Sequence, residues 1–108
     1  MARTVTRFVG PTRLTNAAAT VYTVPGLSKA LVRHVHFMNP SAGSIGVTVS
    51  IGTDGATTRV LESFTVGAGT TYDWYPYMVL DSAEIVQAFA GTTAIVNMTM
   101  FGDLLAAG

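Results

Sequence analysis

At 108 residues and 11.3 kDa the chain has the size of one domain, long enough to bury about two-thirds of its unfolded surface in a single core. Hydrophobic residues make up 49% and charged residues only 11%, under half the usual quarter, so part of the surface is expected to lie against a partner or a symmetric copy. A formal charge of zero disfavours nucleic-acid binding through many neutralised phosphates. The absence of cysteine removes disulfides and thiolate sites, and no apolar run approaches the length of a membrane helix.

The first segment, residues 1–16 ("MARTVTRFVGPTRLTN"), combines arginines and threonines with a Gly-Pro break and no signal-peptide apolar block. It could be a frayed terminus or an extra edge strand. Val5, Phe8, Val9 and Leu14 are too apolar for a free tail, so the preferred reading is an extended arm, ordered by a neighbour through Arg3, Arg7, Phe8 and Arg13.

Residues 17–108 read as one domain with period-two alternation. Runs rich in β-branched and aromatic residues occur at 19–24, 29–39, 45–51, 58–66, 70–80, 83–90 and 93–102. Turn signals such as "VPGLS", "NPSAGS", "GAGT" and "LDSA" separate them. In "GTDGATT" (52–58) the Asp-Gly pair suits a tight hairpin turn. Pro76 cannot donate to a ladder, so the strand over 70–80 is expected at an edge or broken there. About seven to eight short strands without a long amphipathic helix predict an all-β fold, an antiparallel β-sandwich or jelly roll with an N-terminal arm.

The chain's two histidines stand two apart in "LVRHVHFMNPSAG" (31–43). On a strand His34 and His36 share a face and could share a metal, which needs at least one further ligand. A cupin barrel would supply a glutamate after the pair and a third histidine, and neither exists here. No other acid is placed beside the pair by the sequence, so no metal site or cofactor is expected. Leu31, Val35 and Phe37 make the better core face, which leaves Val32, His34, His36 and Met38 for a possible subunit contact. Nucleophile elbows, phosphate loops and calcium loops are absent, and no enzyme is expected.

Four of the chain's five Tyr and Trp residues, Tyr72, Trp74, Tyr75 and Tyr77, fall within "YDWYPY" (72–77). Alternation sends Tyr72 and Trp74 one way and Asp73 and Tyr75 the other. Core packing, an interface anchored by aromatics and a sugar-stacking platform of a receptor-binding adhesin all fit. Charge is divided along the chain: residues 1–53 carry five basic residues and no acid, and residues 54–108 carry six acids and Arg59 alone. Pairing within the sheet or head-to-tail pairing between copies would each account for this.

Roughly residues 14–102 resemble a recurring type of small tailed-phage virion protein. The resemblance rests on Leu14–Asn16, Tyr22–Pro25, Lys29–Ala30, Asn39–Ser41, Val47–Gly52 and Gly67–Thr70, and departs from the pattern at "LDSAE" (80–84), where Leu-x-x-Gly-Asp is usual. It implies a β-sandwich located in the virion and made in the host cytoplasm. The implied role is non-enzymatic, as a capsid decoration (cement) protein or a minor tail or tail-tip protein. The implied partners are copies of itself, in a homotrimer or other ring, and the major capsid protein or tail proteins, with neither nucleic acid nor membrane.

Overall fold

Alternating apolar and polar residues commit nearly the whole chain to strands. The computed structural model describes residues 2–92 and 95–106, and among them lie nine strands. They are β1 (Ala2–Arg13), β2 (Ala19–Thr23), β3 (Ser28–Asn39), β4 (Ile45–Ile51), β5 (Arg59–Val66), β6 (Thr70–Trp74), β7 (Met78–Leu80), β8 (Ile85–Ala90) and β9 (Asn97–Ala106).

Each strand pairs antiparallel with its mirror image along the chain: β1 with β9, β2 with β8, β3 with β6 and β7, and β4 with β5. The chain is therefore one long antiparallel hairpin with the β4–β5 connection at its tip. Successive pairs alternate between two layers, and the contacts of β9 with β3 and of β8 with β4 close each layer. One sheet runs β1-β9-β3-β6, with β7 continuing β6 along β3; the other runs β2-β8-β4-β5. This is the eight-stranded jelly roll, with one strand interrupted into β6 and β7. The interruption falls at Tyr75–Tyr77, on an edge, as Pro76 requires.

The inward faces meet in one core containing Val24, Val32, Val35, Phe37, Val47, Val49, Leu80, Val86, Met98 and Met100, all essentially inaccessible to solvent. Asn39 is buried at the end of β3, where its amide donates to the carbonyls of Gly43 and Val66 and its Oδ1 accepts from Ser41. That explains why the strand closes on "NPS".

Three local expectations are corrected. The segment expected as an arm is ordered by its own chain: Ala2–Arg13 form edge strand β1 along β9, and Leu14 behind it is buried, its N–H donating to the Val96 carbonyl. Phe8, Val9 and Leu14 are apolar because they seal this sandwich. The Asp-Gly pair does not make a two-residue turn. Residues 52–58 form a seven-residue connection with the positive φ at Gly52, and Asp54 works instead through its carboxylate.

In β3 a bulge lies between Val32 and His34. The extra residue, Arg33, shifts the alternation by one position. Val32 therefore turns into the core and Leu31 outward, the reverse of the expected faces. Gly102, opposite Val32, allows the close approach: a Cβ there would run into the Leu31 carbonyl oxygen.

Candidate functional site

The outer face of the β1-β9-β3-β6/β7 sheet gathers most of the residues singled out in the sequence. Strand register arranges them in rows across the sheet. Val79, Leu31, Asp103 and Val5 form one row, and His34, Phe101 and Arg7 the next. Asp73, His36 and Thr99 follow, then Thr71, Met38 and Asn97. Val5 is 86% exposed, Tyr75 69%, and Tyr77 and Val79 62% each. A hollow of about 360 Å³ lies beside Val5 between Arg3, Arg33, Phe101 and Asp103. Asp103 is buried at its base, its Oδ2 accepting from Arg33 Nε at 2.7 Å. The Arg33 guanidinium also lies 5.9 Å from the centre of the Tyr77 ring.

Beside this apolar ground stands a compact polar cluster. The β3–β6 register sets Asp73 directly opposite His36. His34 Nε2 and His36 Nδ1 both donate to the same oxygen, Asp73 Oδ1, at 2.8 and 2.6 Å. These hydrogen bonds, His36 first and then His34, hold the Asp73 carboxyl below its usual pKa. Ligand atoms of the three residues lie within 4.8 Å of one another. The His34 ring is stacked between Tyr75, at 4.7 Å, and Phe101, at 5.3 Å. So a third potential metal ligand does stand beside the histidine pair, contrary to the reading of the sequence. Two imidazoles and a carboxylate could hold one ion.

The other sequence candidates divide between the core and this face. Val32 is not an interface residue but fully buried, because of the Arg33 bulge; His34, His36 and Met38 face outward as expected. Tyr72 and Trp74 point inward: Tyr72 stacks on Phe64 and Phe37, and both pack against the core. Of the readings open for the four aromatics, core packing holds for these two, while Tyr75 and Tyr77 lie on the surface. Of the arm residues, Arg3, Arg7 and Arg13 are exposed on β1, whereas Phe8 is half-buried, its ring packed against Tyr22 at 5.0 Å. The divided charge is in part resolved internally, since Arg33 meets Asp103 and Lys29 meets Asp81 at 3.1 Å.

Val5, Val79, Phe101 and Asp73 were not singled out in the sequence for this surface. Alternation in "YDWYPY" already places Asp73 away from Tyr72 and Trp74. Only strand order shows that it faces the histidines.

No protein-family model and no curated protein matches the sequence. The fold does have relatives among solved structures. A chain from Bacillus endospore appendages, described as disulfide-linked pili, superposes with a TM-score of 0.56 at 12% identity, over 98% of this chain and 89% of that one. Two chains of infectious bursal disease virus superpose with TM-scores of 0.57 and 0.51, at 12% and 13% identity, over 98% and 97% of this chain. This chain spans about a third of the length of those viral chains, 31% and 32%. At such identities the likeness establishes the fold, an all-β sandwich of two antiparallel sheets.

Proposed function

We propose that the chain is a non-enzymatic structural protein of a virion, a capsid decoration (cement) protein of the tailed-phage type it resembles, attached to the capsid surface as a symmetric oligomer. The observation that carries this reading is the exposed apolar face of the β1-β9-β3-β6/β7 sheet. Val5, Tyr75, Tyr77 and Val79 lie largely open to solvent on one side of the molecule, with Arg3 and the Arg33–Asp103 pair set among them. Exposed apolar groups rimmed by polar residues mark contact surfaces, and tyrosines with one dry and one wet end suit their centres. The fold it shares with chains of a virus particle and of a pilus is compatible with assembly. The lack of cysteine means that this assembly would proceed without the disulfide links named for the pilus.

Arg3 and Arg7 then act from edge strand β1, alongside Val5, rather than from a free arm. Deleting residues 2–13 would remove β1, one of the two partners of β9, together with the buried Val9, so point substitutions are the proper test. A Val5→Ser, Tyr77→Ser, Val79→Ser variant should fold, sediment as a monomer and fail to coat particles. The intact chain should be present in many copies over the capsid. Full occupancy by the triple variant would overturn the proposed face. A few copies confined to one vertex would replace decoration with a tail or tail-tip role.

A further inference from the structure

The cluster at the β3–β6 seam supports an inference that does not depend on the virion reading. Three features make it more than a chance meeting of polar groups. The donors come from two adjacent strands whose register sets His36 opposite Asp73, with His34 two residues along on the same face. The His34 ring is clamped between two aromatic rings, at 13° and 22° from parallel, so its reach toward Asp73 is set before any ion arrives. Both imidazoles aim at one carboxylate oxygen, and all three ligand atoms fall within 4.8 Å. Tetrahedral coordination with bonds of 2.0–2.1 Å needs donor atoms about 3.3 Å apart. Side-chain rotations would have to open the His–Asp contacts of 2.8 and 2.6 Å and draw in the longest donor spacing, up to 4.8 Å, by about 1.5 Å to reach that geometry.

We propose that His34, His36 and Asp73 form a binding site for a late first-row divalent metal ion of the zinc class. The donor set decides the class: imidazole nitrogen suits zinc, copper, nickel and iron, whereas magnesium and calcium take oxygen donors. The side chains of His34, His36 and Asp73 are 29%, 35% and 42% exposed. The outward coordination positions therefore face solvent, and water or a ligand from outside the chain completes the shell. Without an ion, each histidine must place a proton on the nitrogen aimed at Asp73. The ion takes the place of both protons and ties the interrupted edge strand to the centre of its sheet.

The chain's two histidines make the test direct, because every imidazole signal belongs to the cluster. Untagged full-length chain, stripped with a chelator, would be titrated with Zn²⁺ by calorimetry and followed by NMR of the histidine rings. One ion per chain is expected, with micromolar or tighter affinity, both histidine signals shifting together and Tm rising with Zn²⁺ concentration. His36→Ala and Asp73→Asn should each weaken binding about tenfold or more, and Thr71→Ala on the same strand should not. Absence of saturable uptake, movement of one or neither histidine signal, or undiminished binding in both variants would overturn the site. The NMR readout on the unaltered chain decides the matter even where a variant fails to fold.

Discussion

The two sheets of this sandwich treat their outer faces in opposite ways. On the β2-β8-β4-β5 sheet, Thr48 and Ser50 point away from the core and are nevertheless buried, because the chain folds back over them. Ser63 N–H donates to the Thr48 hydroxyl at 3.0 Å, and the Ser50 hydroxyl donates to Asp54 at 2.7 Å. Arg59 holds Asp54 through two nitrogens, reaches Glu62 at 2.6 Å and covers the Phe89 ring. Gln87 accepts from the Asp54 N–H. The face over Thr48 and Ser50 is finished by its own loop, while Val60 on β5 stays 42% exposed. The β1-β9-β3-β6/β7 face has no such cover, and its valines and tyrosines lie open. A polar surface completed internally needs no partner, whereas an apolar surface left open is where a partner lowers the free energy.

Two neighbours on β7 give the largest expected contrast. Leu80 is fully buried and Val79 is 62% exposed on the opposite side. Leu80→Ala should cost about 3 kcal/mol through lost burial and a residual cavity, read as a lower urea midpoint at unchanged slope. Val79→Ala should stay within about 0.5 kcal/mol of the parent. Equal costs would mean that β7 does not separate inside from outside as described.

Gly102→Ala comes next. The added methyl would meet the Leu31 carbonyl and press on Phe8, so β9 must move away from β3 at the bulge that sets the outer rows. A loss of about 2 kcal/mol is expected from such overpacking. A neutral result would show that the two strands can part there freely. A smaller effect on stability, but a larger one on assembly, follows from Tyr77→Ser alone. Tm should stay within the range of a surface substitution, while self-association measured by sedimentation weakens. The matched change Thr65→Ala, outward on the covered sheet, should leave association untouched. Loss of association in both would erase the distinction between the faces.

Most of the strand pattern was legible because side-chain alternation is a local property. The runs at 45–51 and 83–90 sit where the sequence places them, and Pro76 interrupts an edge strand for the reason its missing N–H gives. The rest depended on long-range pairing. That β1 lies along β9 is set by residues some ninety positions apart, so an edge strand and an arm looked alike. The Arg33 bulge, which exchanges Val32 and Leu31, arises where β3 meets Gly102. Asp73 reaches the histidines only because β6 is the neighbour of β3. Residues 93 and 94, inside the last expected strand, lie outside the described residues.

The smallest effect tests how the covered face is held. Hydrogen bonds from Arg59, and then from Ser50, lower the folded-state pKa of Asp54. A carboxyl whose pKa is depressed on folding binds fewer protons in the folded state at intermediate pH. Its contribution to stability is therefore fully present above the unfolded-state pKa and is lost as pH falls through the folded value. Between pH 7 and about pH 3, a range that spans the ordinary carboxylate pKa, Asp54→Asn should lose less Tm than the parent. The gap between the two curves should shrink in high salt, since the Arg59 pair is solvent-accessible and screened. If instead the two acid slopes coincide, the carboxylate contributes nothing to closing the loop. The Thr48 and Ser50 hydroxyls would then be covered by backbone geometry alone, starting from the positive φ of Gly52. In that case Gly52→Ala, not Asp54→Asn, would be the substitution that uncovers this sheet.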